Sequence, residues 1–414
     1  MKKIILFKLL VLSLFISCEK ANEKNIDLKN VEVNNLIKFF NKNAYQADLG
    51  TYYSEINNNG ELVSSKVFNV ALSRLIYGLS YSSNILDTSY LHNAQKAAEF
   101  QIEKLIAEDS IGTYFLSFYD LDSNMPDNSS NLDIWQQAYG LCGLSELYRN
   151  NPNEKLLSSI HLFHDSFIKR FHDNKNGGFY GNYEKNEQVT GSKTLQSIIY
   201  PITAYMENLW LIDVDNRNKY EPFLKENIRL AFDKGWNEDL GWVNIKFDDN
   251  WNPCQHFSAD STCFTVTPGH NFQFASVLLR TKDWDFLTEE EQLKYQKFGM
   301  NVLTTTLNKP VFPVKDLSQG FYSEVNPVSN KILDRRKTWW QHCEALIALS
   351  LAKDKFKAKS KNLEKFYFDT FPDKENGGEF FFVDENNIPQ TNELKGSIGK
   401  SVYHSIEMIR YLKQ

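Results

Sequence analysis

Apolar positions along most of the chain fall into two alternating helical patterns. Stretches such as "DIWQQAYGLCGLSELYR" (133–149) and "RRKTWWQHCEALIALSLA" (335–352) are apolar or small nearly all round. Each is followed by a one-sided stretch with a charged opposite face, "NEKLLSSIHLFHDSFIKRF" (153–171) and "KAKSKNLEKFYFDTF" (357–371). The first kind predicts a helix buried on every side, and the second an outer helix with one face in solvent. Between successive pairs runs a different pattern: a glycine, a few aromatic or β-branched residues, then Asn, Asp or Gly. It reads as a short hairpin.

The hairpin pattern occurs six times, opening at Gly50, Gly112, Gly178, Gly241, Gly320 and Gly378, with steps of 62, 66, 63, 79 and 58 residues. A repeat of this length, containing two helices and one hairpin, is one supersecondary unit. Six such units predict an all-α fold, an (α/α)6 barrel with short β-hairpins between helix pairs, in preference to an open solenoid. No Gly/Ser/Pro-rich linker interrupts residues 30–414, so they are expected to form one domain.

The repeat also locates candidate chemistry. Counted from its glycine, each buried helix carries a polar or aromatic residue at a similar offset: Arg74 at 24, Gln137 at 25, Tyr200 at 22, His270 at 29, Glu344 at 24 and His404 at 26. Equal offsets in a closed ring mean one layer near one mouth. Two histidines, an arginine and a glutamate in one layer of an apolar barrel are costly to bury without purpose, so this layer is the candidate site.

Composition narrows the possibilities. The chain is 42% hydrophobic, ample for a large core, and its formal charge of −6 with no basic stripe argues against nucleic-acid binding. The N-terminus reads "MKK", then "IILFKLLVLSLFI", then Ser17-Cys18. This layout resembles a bacterial lipoprotein signal. Residues 1–17 are expected to be removed, Cys18 to be lipidated, and 18–29 to act as a polar tether. The expected location is the cell envelope, with the lipid anchor as the sole membrane contact. Of the remaining cysteines, Cys254 and Cys263 stand close enough in a loop-like stretch to pair, while Cys142 and Cys343 lie on apolar helical patterns.

The stretches "ALSRLIYGLS", "TPGHNFQFASVLLR", "KTWWQHCEALIAL" and "KGSIGKSVYH" resemble the N-acylglucosamine 2-epimerase family, which includes cellobiose and mannose 2-epimerases and aldose–ketose isomerases. The resemblance spans residues 30–414 and implies an (α/α)6 barrel acting on a mono- or oligosaccharide. It implies that His270 and His404 are the acid/base pair, that Arg74 holds the sugar oxygens, that Glu344 is the acidic residue of the Trp-Trp helix, and that Trp340 walls the sugar ring. Trp135 and Trp339 join the substrate-binding candidates, and Lys400 is a second, weaker cationic donor.

The chemistry suits these residue types. A neutral imidazole can remove the C2 proton of an open-chain aldose, and fixed donors can hold the resulting enediolate. Neither a metal nor a nicotinamide is called for, because the sequence has no HExxH and no Gly-rich nucleotide loop. Glycoside hydrolysis or lysis on the same barrel, and sugar binding without turnover, are the competing readings. The sequence departs from the family at Gln273, where the family has Glu. At three residues' distance Gln273 is expected to touch His270 and, lacking charge, to leave it less basic. Gln196 and Tyr200 likewise stand where several relatives carry Asn and His.

Overall fold

The computed structural model describes residues 27–254 and 265–414. The signal layout, Cys18, most of the tether and Cys263 lie outside these residues. Cys254 is disulfide-bonded, and Cys142 and Cys343 are free and buried.

Helices alternate between an outer and an inner ring. The outer ones are α1 (Leu28–Asn43), α3 (Ser89–Lys104), α5 (Glu154–Phe171), α7 (Glu221–Lys234), α9 (Glu289–Leu307) and α11 (Lys357–Thr370). The inner ones are α2 (Asn69–Ile85), α4 (Ile134–Asn150), a composite rod α6, α8 (Pro268–Arg280), α10 (Trp339–Leu351) and α12 (Tyr403–Leu412). The structure is therefore the all-α (α/α)6 barrel. The last inner helix, α12, packs on α10 and also on α2, which closes the inner ring.

The rod α6 runs Leu195–Pro201, a π turn Ile202–Met206, then Glu207–Ile212. Pro201 has no amide hydrogen to give the ladder, and the π turn follows it directly. Within that turn the Thr203 carbonyl accepts the Tyr403 hydroxyl at 3.2 Å, tying α6 to α12 across the barrel.

All six repeat glycines have positive φ, from +61° at Gly320 to +138° at Gly112. Two of them show why glycine is required. A Cβ on Gly178 would lie 2.5 Å from Leu230 of the next outer helix, and one on Gly378 would lie 3.0 Å from Phe39 of α1. Each hairpin thus tucks under the outer helix that follows it, and the Gly378 hairpin closes the outer ring on the first helix.

The strands are only two or three residues long, and their pairing differs in part from self-contained hairpins. Tyr45–Gln46 pairs with Thr51–Tyr52 within its own unit. By contrast, Lys66–Phe68 pairs with Phe118–Asp120, Asn131–Asp133 with Asn182–Glu184, Lys193–Thr194 with Lys246–Phe247, and Lys337–Thr338 with Phe382–Val383. The strand leading into an inner helix is bonded to the next unit. These cross-links form a belt that holds the inner helices' N-termini at one mouth. Among the described residues, no helix is long and apolar enough to cross a membrane.

Candidate active site

Because the inner helices all start at the belt, their first turns face one another. Trp135, Gln196, Trp340 and His404 are each the second residue of an inner helix or rod, and His270 is the third residue of α8. Local signals fix these starts. Asp133 caps α4 by accepting from the backbone of Trp135 at 2.8 Å and of Gln136 at 3.3 Å, while Pro268 opens α8 where no donor is needed.

The first turns enclose a cavity of about 310 Å³, roomy enough for a sugar unit. Arg74, Trp135, Tyr139, Tyr200, His270, Gln273, Trp339, Trp340 and His404 line it, and Phe381 and residues 397–399 complete the rim. Glu344 lies at its floor as the hydrogen-bond partner of two lining residues, Gln273 and His404.

Both histidines lie against one indole: ring centroids lie 5.3 Å from Trp340 for His270 and 5.9 Å for His404. Each has one nitrogen tied back. His270 Nδ1 is 2.8 Å from Thr267 Oγ1, and His404 Nδ1 is 2.9 Å from Glu344 Oε1. In each ring Nε2 is therefore the nitrogen left for a ligand. Burial pushes the His270 imidazole down to about 4, so it is neutral across the physiological range. His404 is driven well below its ordinary value, by burial first and then by the Arg74 charge. Burial also raises the Glu344 carboxyl to about 8. The Glu344–His404 pair thus keeps a proton between its members at neutral pH and carries no net charge.

Arg74 is buried, yet it is in no ion pair among the described residues. Its Nη1 donates to the Gly399 carbonyl at 2.5 Å, its Nε has no partner, and its guanidinium lies 4.1 Å over the Tyr139 ring. A buried cation with a spare donor, held by aromatic faces, is suited to an oxygen-rich ligand.

Other sequence expectations turn out differently. Gln273 does not sit against His270: its Nε2 donates across the barrel to Glu344 Oε1 at 3.4 Å, and its Oε1 is buried without a partner. Two α-helical positions three apart share a face, but here both side chains point inward and each finds its partner elsewhere. The low basicity of His270 comes from burial alone. Lys400 is turned away from the cavity. Its ammonium lies 3.8 Å from the Trp339 ring centroid and 3.4 Å from Glu379, so its loop reaches Arg74 through the Gly399 backbone instead. Gln137 leaves the predicted layer, because its amide is spent on the backbone N–H (2.8 Å) and C=O (2.7 Å) of Phe115. Gln196 is half-buried and bonds Tyr200 without lining the cavity. Tyr139 and Phe381 were not singled out by the sequence, and residues 397–399 stood there only within the stretch "KGSIGKSVYH"; Tyr139 carried a signal, four residues after Trp135 on one helix face. Among the described residues, no cluster of three or more His, Cys, Asp or Glu side chains could hold a metal ion.

Residues 52–407 match the N-acylglucosamine 2-epimerase (GlcNAc 2-epimerase) family, and the chain belongs to it. That membership makes it an enzyme, in a class that contains sugar epimerases and isomerases. A cellobiose 2-epimerase from Dictyoglomus turgidum is 23% identical over 361 residues, covering 82% of this chain and 85% of that protein. A sugar epimerase from a ruminal bacterium shares the fold at a TM-score of 0.78 and 18% identity, covering 92% of this chain and 98% of its own. A D-mannose isomerase superposes at a TM-score of 0.77 and 15% identity, covering 95% and 98%. A family 76 glycoside hydrolase from Bacteroides thetaiotaomicron has the same type of fold at a TM-score of 0.65 and 10% identity, with 94% and 78% covered.

Proposed function

We propose that this enzyme moves the proton on C2 of a reducing sugar, interconverting epimers or an aldose and its ketose through an enediolate, with His270 and His404 as the acid/base groups. The observation that carries the reading is the pair of neutral imidazoles lining one cavity against Trp340, each with its Nδ1 tied back and its Nε2 left for the cavity. One histidine removes the proton while the other delivers one to the opposite face, which is epimerisation. Delivery to C1 on the same face by a single histidine gives the ketose.

The environment supplies the rest. With Nδ1–H donated to Thr267, His270 Nε2 is a lone-pair base. With Glu344 protonated, its O–H donates to His404 Nδ1 and His404 Nε2 carries a hydrogen. As His404 gives that hydrogen to carbon, Glu344 returns one to Nδ1, so the ring never holds a full positive charge. Arg74 stabilises the enediolate oxygens, and Trp340 with Trp135 and Trp339 packs against the sugar. The positive ends of the inner-helix dipoles converge at the same mouth and favour the developing anion. Hydrolysis needs two carboxyl groups flanking the bond. The described lining contains none, and Glu344 stands alone behind it.

Incubation with mannose, glucose, N-acetylglucosamine and cellobiose in D2O tests the reading. Deuterium appearing at C2 of at least one sugar supports it. Shortened oligosaccharide, or binding with no exchange, refutes it. We also propose that Cys18 is lipidated and anchors the enzyme at the cell envelope, on the strength of the N-terminal layout.

A further inference from the structure

The far end of the barrel, opposite the belt, is where the inner helices finish and the outer ones begin. There the short link from α10 to α11 and the first turn of α11 read "KDKFKAKSK" (353–361), with a lysine at every second position. Lys353, Lys355, Lys357 and Lys361 are exposed. Lys355, Lys357, Lys359 and Lys361 line one open depression beside the half-buried Phe356. Opposing charge is scarce: Asp354 lies 3.9 Å from Lys357, and among the described residues no other carboxylate pairs with these lysines. Lys355 donates instead to the Thr304 hydroxyl at 3.4 Å, and Lys359 to the Lys315 carbonyl. No side chain caps α11 and its first turn carries no acid, so the positive end of its dipole adds to the patch.

The start of α1 lies beside this patch. Lys29, the second residue of α1, pairs with Glu364 of α11 at 3.2 Å. Glu364 follows Lys357 by seven residues, about 10 Å along the helix. Asp27 is held at the same end by Lys413, at 3.6 Å. Cys18 stands nine residues before Asp27, a stretch that spans at most about 30 Å. An acylated Cys18 therefore puts the lysines within reach of the lipid headgroups. We infer that the lysine patch at the link between α10 and α11 docks on an anionic phospholipid surface, a membrane contact beyond the lipid anchor, and turns the sugar cavity away from the bilayer. As an orientation of the anchored enzyme, it rests on the lipidation of Cys18.

Charge selects this partner and this face. The chain as a whole carries −6, so an anionic surface repels most of it and attracts the local patch. Each lysine held near such a surface is worth about fivefold in partitioning, and the attraction fades over a screening length of about 8 Å at physiological salt. Four lysines alone hold the chain only weakly, and acyl chains alone leave the domain free to turn. Together they fix one face on the membrane. The sugar cavity, at the belt end, then opens toward the solution from which a saccharide arrives.

The test uses vesicles of phosphatidylcholine with and without phosphatidylglycerol. The chain from residue 18 onward contains the whole barrel; with Cys18→Ser no acyl group assists it. At low salt it should sediment with the anionic vesicles and not with the neutral ones. Raising the salt to about 1 M, where the screening length is about 3 Å, should release it. Lys353→Gln, Lys355→Gln, Lys357→Gln and Lys361→Gln combined should lower partitioning by about a hundredfold or more, while the four Arg replacements should preserve it. In the acylated wild type on anionic vesicles, a water-soluble amine reagent should spare those four lysines. It should still label Lys331, exposed beside the strand Ile332–Asp334 that leads to α10 at the other end. Equal partitioning into both vesicles, no loss in the combined Gln variant, or protection of Lys331 in place of the four lysines overturns the inference. Acylation of Cys18 is scored separately by mass. Its absence refutes the anchor, while sedimentation still decides the patch.

Discussion

His404 and Glu344 share a hydrogen bond of 2.9 Å in a place where both side chains are buried. Burial disfavours the charged form of each, so the imidazole goes down, the carboxyl goes up, and the pair holds its proton to about pH 8. His270, also against Trp340, stays neutral down to about pH 4. In the direction where His270 is the base and His404 the acid, kcat/KM should be bell-shaped, with limbs near those two values. A profile still rising through pH 8 would show that turnover does not need the pair's proton.

Glu344→Gln should lower turnover by about a hundredfold or more, because the amide cannot pass a proton to Nδ1. It should also change stability. An unfolded Glu ionises near its ordinary 4.5, whereas the folded one keeps its proton to about 8. Between these values the unfolded state binds fewer protons. The contribution of Glu344 to wild-type stability therefore falls as pH rises, by at most about 1.4 kcal/mol per pH unit. The variant should lack this dependence and outlast the wild type in denaturant at pH 8. Parallel stability–pH curves would show that Glu344 ionises freely in the folded protein.

The Gln273→Glu variant would place a second carboxyl against Glu344, since the amide nitrogen it replaces lies 3.4 Å from Glu344 Oε1. Two carboxyls at that range share a proton, so the alkaline limb should move up by about one pH unit or more while the acid limb, set by His270, stays put. A moving acid limb would mean that position 273 reaches His270 in solution.

The six-fold ring was readable because its glycines recur, and they recur because each must adopt positive φ under a neighbouring helix. The first turns of the inner helices were readable for the same reason. What an offset along the chain cannot give is rotation about the helix axis. One residue is a turn of about 100°, so Gln137 fell where its neighbours Trp135 and Tyr139 actually face the cavity. Partners across the barrel were also hidden. The spacing of His270 and Gln273 suggested a local pair, but the bonds run to Thr267 and Glu344. Lys400 looked like a ligand donor because its loop borders the site; its side chain lies against Trp339 and Glu379, which a linear pattern cannot show.

At the N-terminus, Cys18→Ser should release the enzyme from membranes and abolish incorporation of labelled palmitate, while the wild type retains both. A Ser variant that still partitions fully with membranes would refute lipid anchoring.

The central claim is that His270 and His404 serve opposite faces of the same carbon. It is tested most directly by following wash-out of deuterium from two C2-deuterated epimers of a turned-over sugar, with His270→Asn and His404→Asn each assayed in H2O. Each variant should wash the label from one epimer only, a different one in each case, and neither should interconvert the two. Loss of label from the same epimer in both variants, or epimerisation surviving in either, would contradict the account.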